Sequence, residues 1–184
     1  YLLSPLRVYT TAQGVFSAWR SPDAIVLKAL SLVLTPIVQQ AIGTACTHLK
    51  GHGGINGAVR TIKDRLTHYQ HVIQSDVKRY YQSMQPDGVL THCKAMIPDK
   101  KVLSLIHQYL TRCEVRDGEH TLVTQGIPKG CPLSPLMGAI MLKSLDACIP
   151  NDALYVRYMD DWVIAVKTKR QLRRMVKMMH RLKF

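Results

Sequence analysis

The stretch VRYMDDWVIAV, Val156 to Val166, limits the possible folds more than any other part of this chain. Runs of aromatic and β-branched residues suit a pleated, half-buried surface, so ALYVRY and WVIAVK read as the two strands of a hairpin. Met159, Asp160 and Asp161 then lie at or beside its turn. Asp is common in turns, and a plain turn explains the pair simply. Two details weigh against that. No Gly or Asn supplies the positive φ that tight hairpin turns prefer. A third acid, Asp76, also ends a strand-like run, HVIQSD. If the two strands lie side by side, the carboxylates of Asp76, Asp160 and Asp161 meet at one sheet edge. Converging carboxylates stay ionised only with a compensating cation. Oxygen ligands favour Mg²⁺, with Mn²⁺ as a substitute. Two such ions about 4 Å apart activate a hydroxyl nucleophile and stabilise a leaving oxygen in phosphoryl transfer. Turn and metal site both stand at this stage.

Charge narrows the choice. Lys and Arg number 25 against 12 Asp and Glu, a formal net charge of +13. Such an excess favours a polyanionic partner, nucleic acid or an anionic surface, over the plainer role of keeping the chain soluble. An acidic edge in a basic protein suits a polyphosphate substrate and a polyanionic template. With 184 residues, 47% of them hydrophobic, the chain can bury one core or two small ones. The cysteines Cys46, Cys93, Cys113, Cys131 and Cys148 are scattered, odd in number and never CxxC. They suggest neither a disulfide framework nor a zinc site, and a reducing, cytoplasmic compartment fits best. The longest apolar run, Ala24 to Val38, carries Lys28 and Pro36 and reads as a mostly buried helix too short to span a bilayer, so no membrane partner is expected. No signal-peptide pattern is evident. The chain begins at Tyr1 without Met and stops at Phe184 inside a helical pattern, as a piece of a longer protein would.

Along the chain, SPDAIVLKALSLVL opens a helix with Ser21 as N-cap and Pro22 and Asp23 in the first turn. Lys50 to Leu66 is a glycine-rich loop running into a helix, with no phosphate-loop pattern. Pro98 to Leu110 is amphipathic at helical spacing, and TRCEVRDGEHTLVT is a hairpin turning at Asp117-Gly118. A Gly- and Pro-rich loop leads to a helix from Ser134 to about Cys148. The last helix sets Leu172, Met175, Val176, Met179 and Leu182 at helical spacing, with Arg170, Arg173, Arg174, Lys177 and Arg181 largely on its other faces. The order is helical first, then strand, helix, hairpin, helix, hairpin, helix. It predicts an α+β protein with an antiparallel sheet covered by helices.

Three ordered blocks resemble the reverse transcriptase family, and most closely its bacterial group II intron-like and retron-like members. Tyr158-Met159-Asp160-Asp161 matches the YxDD signature. SDVKRYY, Ser75 to Tyr81, matches the first metal-binding block, and GIPKGCPLSPLM, Gly126 to Met137, the loop-helix block. Asp76 precedes Asp160 by 84 residues, a family-like interval, and Leu145-Asp146 matches a similar pair in bacterial members.

The resemblance implies a polymerase right hand reduced to fingers and palm: a mainly helical fingers region over 1–70, a palm over 71–184 with a fingers-derived segment at about 86–130, and no thumb. It implies an RNA-directed DNA polymerase adding deoxynucleotides to a primer 3′-hydroxyl, with an RNA template, a DNA or RNA primer and dNTPs as partners, and it leaves room for an associated structured RNA. Two Mg²⁺ ions would be held by Asp76, Asp160 and the Val77 backbone carbonyl, with Asp161 in support. Tyr81 would lie beneath the sugar of the incoming nucleotide, where its ring excludes a ribose 2′-hydroxyl. Lys129 and Gly130 would line the nucleotide site, Gly130 by close backbone approach. Lys129 departs from the family, which has Gln there, and Ala139 replaces an Asn common in intron-encoded members. Arg7 and Arg20 are candidates for gripping the triphosphate. The alternatives are a catalytically silent RNA-binding scaffold and a defence-type polymerase with relaxed template use.

Overall fold

A computed structural model describes residues 1–181, so the expected packing of Leu182 lies outside the described residues. In chain order the elements are β1 (Leu6–Thr11), β2 (Gly14–Ala18), α1 (Ser21–Ala41), α2 (Gly54–Arg65), β3 (His71–Ser75), α3 (Tyr80–Ser83), α4 (Pro86–Lys94), α5 (Lys100–Leu110), β4 (Cys113–Arg116), β5 (Glu119–Leu122), α6 (Ser134–Met141), α7 (Lys143–Cys148), β6 (Leu154–Tyr158), β7 (Asp161–Val166) and α8 (Lys169–Met179). They form two compact units. One contains Tyr1–Ala41 and Arg79–Met141, the other Ile42–Lys78 and the chain from Leu142 on. This differs from a division near residue 70, because α2 packs on β6 and so joins the later sheet.

The first unit holds a four-stranded sheet in the order β2-β1-β4-β5, with β1 and β4 parallel. Its opening hairpin corrects the expectation of a purely helical start. Arg7, Tyr9 and Thr11 carry too little apolar alternation to announce a strand, and only Leu6 and Val8 are buried on β1. The Asp117-Gly118 turn forms as expected, with φ of 52° and 86° at its two residues, the left-handed pair that a type I′ hairpin turn requires. Helix α1 runs for 21 residues through Pro36. It is longer than the apolar run suggested and long and apolar enough to cross a membrane. Nor is it mostly buried: Leu27, Leu30, Leu34 and Val38 are covered, while Ile25, Leu32 and Val33 are exposed. Ser31 Oγ, on the covered stripe, donates to Pro132 O (3.0 Å). Asp23 is buried near its start and accepts from Tyr1 Oη–H (2.7 Å) and Ser4 N–H (3.3 Å), tying the leading segment down. The helix expected from Ser134 to Cys148 is two helices, interrupted at Leu142 (φ −89°, ψ 6°).

The second unit is built on a fully antiparallel sheet in the order β3-β7-β6. Ala58 of α2 packs with Leu154, Val156 and Ala165 in its core, joined by Ile62, Leu66 and Tyr69. Helix α8 packs against β3 and β7. A capping box opens it: Thr168 Oγ1 accepts from Gln171 N–H (3.2 Å), and Gln171 Oε1 accepts from Thr168 N–H (2.9 Å). Met175 is its buried anchor, whereas Val176 is 40% exposed and stands outside the stripe expected for it. Arg170, Arg173, Arg174, Lys177 and Arg181 are all exposed.

Candidate active site

The antiparallel register determines where the three acids lie. Tyr158 pairs with Asp161 across β6 and β7, which leaves Met159 and Asp160 as a two-residue turn. Ser75, the last residue of β3, pairs with Trp162. One further step along that ladder sets Asp76 level with Asp161, and opposed residues of an antiparallel pair share a face. All three acids therefore reach the same edge of one sheet. Asp76 and Asp161 are exposed and Asp160 is half-buried. None of the three side chains has an ion pair or hydrogen bond among the described residues. Val77 follows directly, with its carbonyl in the connection leaving β3.

Met159 supplies the positive φ that the sequence seemed to lack, at 59°. Positive φ at the first central position alone is the pattern of a type II′ turn, which matches the twist of the flanking strands. Below the turn lies a buried polar network. Arg157 is fully buried, with its Nε donating to Asp146 Oδ1 (2.8 Å) and Nη2 paired with Asp146 Oδ2. Tyr155 Oη–H donates to the same carboxylate (2.6 Å). Burial works against the charged guanidinium, but the hydrogen bonds and charge of Asp146 outweigh it and hold the Arg157 pKa above its usual value. Burial, reinforced by Asp146, pushes the Tyr155 phenol up. Arg157 was not singled out from sequence, although an arginine inside LYVRY is a signal, since a buried charge requires a partner. His48, which accepts from Met159 N–H, left no such signal.

The donor set fits a hard divalent cation: carboxylate oxygens, unpaired, on one edge of a strongly basic chain. Among the described residues no group of three or more His, Cys, Asp or Glu side chains is placed close enough to hold a metal ion by itself. Beside the edge an apolar cleft of about 270 Å³ runs between α2 and the sheet, with Asp161 and Tyr158 in its lining.

Tyr81, Lys129 and Gly130 belong to the first unit, Tyr81 on α3 and the other two in the loop before α6. Ile127 N–H donates to Tyr81 O (2.8 Å) and Gly126 N–H to Met84 O (2.8 Å), which fastens the start of the loop before α6 along α3. Gly126 has φ of 86°, and a Cβ there would lie 3.2 Å from backbone atoms of Tyr81 and Gln82, so only glycine fits. Lys129 is exposed. With the Gln82 amide turned so that its nitrogen donates to Arg79 O, its oxygen accepts from Lys129 Nζ (3.2 Å). Gly130 is left-handed at φ 80° with open space before it. The Tyr81 ring lies 5.9 Å from that of Tyr80. Tyr80 Oη–H donates to Gly138 O (2.7 Å), and a Cβ at Gly138 would come within 3.2 Å of Tyr81 and 3.3 Å of Tyr80. Arg7 stands on β1 and Arg20 just before α1, with no ion pair at either among the described residues.

A family model described as reverse transcriptase (RNA-dependent DNA polymerase) matches residues 19–182. Protein YkfC of Escherichia coli K12 is 24% identical over 129 residues, covering 67% of this chain and 34% of that protein. Group II intron-encoded protein LtrA of Lactococcus lactis subsp. cremoris is 22% identical over 124 residues, covering 67% of this chain and 21% of that protein. Among solved structures, a chain of a partial Cas6-RT-Cas1–Cas2 complex superposes with a TM-score of 0.56 at 18% identity, covering 97% of this chain and 33% of the other. Apo telomerase from Candida tropicalis gives 0.53 at 18% identity, over 85% of this chain and 36% of the other. These structures share the fold. The chain spans only 16% to 34% of the length of the curated relatives.

Proposed function

The chain belongs to the reverse transcriptase family, and from that premise we propose that it is the fingers-and-palm part of an RNA-directed DNA polymerase. The observation that supports the reading is the β3-β7-β6 register, which carries Asp76, Asp160 and Asp161 to one end of the sheet, with no ion pair at any of them among the described residues. A fold gains no stability from gathering unpaired carboxylates, so a silent scaffold has no reason to keep them. The second unit is then the core of the palm, and the first carries the fingers.

Asp76, Asp160 and the Val77 carbonyl would hold Mg²⁺, with Asp161 in support. When bound, the metal makes the primer 3′-hydroxyl more acidic and neutralises charge on the departing pyrophosphate. The protein's own contribution is placement. The β3-β7-β6 register holds the carboxylates at one edge, and the Met159 turn presents Asp160 beyond the last strand pair. Tyr81 sits beneath the incoming sugar and excludes a 2′-hydroxyl, which selects dNTPs. Gly130 lets the backbone approach the nucleotide, and Lys129 meets its phosphates as a point charge. The basic surface, including α8, holds an RNA template and a DNA or RNA primer. A cytoplasmic location accords with five free cysteines.

Primer extension on poly(rA)/oligo(dT) with Mg²⁺ tests the reading, with Asp160→Ala as control. Extension by the wild type that vanishes in the variant is the expected result. Failure of a version carrying the rest of the natural protein to extend any primer refutes it.

A further inference from the structure

Met159 is a long-chain residue held in a left-handed conformation at the first central position of the turn, a place that favours glycine. Such a conformation persists only where the surroundings over-determine it. Here both backbone polar groups of Met159 are held by side chains. Its carbonyl accepts from Arg157 Nη1 (3.0 Å), and Arg157 is anchored by Asp146. Its N–H donates to His48 Nδ1 (3.0 Å). His48 comes from a remote part of the sequence yet is fixed in place. Arg157 N–H donates to Ala45 O (2.7 Å) and Thr47 N–H to Arg157 O (2.8 Å), so the segment before His48 bridges alongside β6. The ring stands edge-on to Tyr158, 6.0 Å between centroids at 72°. Cys46 Sγ lies 3.5 Å from the same Nδ1. Burial pushes the Cys46 thiol up to about 11, so it too remains a donor. Two donors facing one nitrogen require that nitrogen to be an unprotonated acceptor, with the proton on Nε2.

We propose that His48 is a positioning residue for polymerisation: its Nδ1 lone pair, opposite Arg157, clamps Met159 and thereby sets where Asp160 presents its carboxylate. The proposal rests on the polymerase reading above. A misplacement of about 1 Å in a group that orients reactants is enough to lower turnover by about 100-fold, so the clamp acts on kcat and on metal affinity while leaving primer-template binding alone.

The test compares His48→Phe, which keeps a ring against Tyr158 but has no acceptor, with His48→Asn, whose Oδ1 can replace Nδ1. In His48→Phe, kcat is expected to fall by about 10-fold or more while KM for primer-template stays within about 2-fold. Mn²⁺ affinity of the purified protein, read by electron paramagnetic resonance without substrates, falls in parallel. His48→Asn restores both to within about 3-fold of wild type. Unchanged kcat and Mn²⁺ affinity in His48→Phe overturn the proposal, as does equal loss in both variants. Where His48→Phe does not fold, nitrogen-15 NMR of the wild-type His48 ring decides: a proton on Nδ1 at neutral pH overturns the clamp. Asp160→Ala separates the two readings. If Asp160→Ala stays active, or a version carrying the rest of the natural protein extends no primer, the polymerase reading fails, and the Mn²⁺ and NMR measurements still judge the clamp.

Discussion

Replacing Asp146 with Ala removes one half of a buried ion pair and strands the other. Arg157 has no exposed side-chain surface, and Asp146 is 12% exposed. The variant deletes the partner of Arg157 Nε and Nη2 and the acceptor of Tyr155 Oη. An uncompensated buried charge costs about 3–5 kcal/mol. Against a total stability of about 5–15 kcal/mol, that is a large fraction. Urea denaturation followed by tryptophan fluorescence suits the measurement, because Trp162 is buried and pairs with Arg157 across β6 and β7. The midpoint should drop steeply with little change in slope. Asp146→Leu combined with Arg157→Met removes both charges and should lose much less than Asp146→Ala alone, since apolar groups of similar volume replace buried pairs at little cost. A loss below about 1 kcal/mol for Asp146→Ala refutes the reasoning, as does a double variant less stable than the single one.

Tyr81→Ala should raise ribonucleotide incorporation relative to deoxynucleotide incorporation, and unchanged discrimination removes the gate assignment. Gly138→Ala pushes a methyl against both tyrosine rings and should cost about 1–3 kcal/mol in stability, with a shift in sugar discrimination in the same assay. Thiol titration at pH 8 should label exposed Cys148 first and spare buried Cys46 and Cys93, whose thiols burial pushes up to about 11 and about 12. The sign of the linked stability follows: these two thiols contribute fully below their ordinary pKa of 9.0, and that contribution is lost as pH rises towards their folded values. Arg173→Gln with Arg174→Gln should flatten the salt dependence of nucleic-acid affinity, by about 0.7–0.9 in log-log slope per phosphate contact removed. An unchanged slope makes α8 a plain solvated face.

The strands and turns that frame the candidate site were legible in the chain itself. Local chemistry announced the β6–β7 hairpin: aromatic and β-branched runs on both sides of Asp160 and Asp161 have a strong preference for a sheet. The Asp117-Gly118 turn was equally plain, because its residues suit the left-handed backbone it adopts. The motif order carried the family, and it singled out Asp76, Tyr81 and the Gly126–Met137 block as candidates. The opening hairpin was not legible, since its strands expose most of their side chains. The break at Leu142 was hidden too, because nothing in IMLKSLD disfavours a continuous helix.

What the sequence determined by itself is the set of acids and the strands that carry them, because strand preference and turn chemistry are properties of neighbouring residues. Tertiary structure alone decided how the turn is held. Arg157 inside a strand-like run calls for a partner, but only folding shows that the partner is Asp146, 11 residues away, and His48 reads as nothing until folding brings it, across 111 residues, to the Met159 N–H. Hydrogen bonds between distant segments depend on register and packing, which no local pattern encodes. The carboxylate pair was visible from the outset; the clamp that aims it exists only in the folded chain.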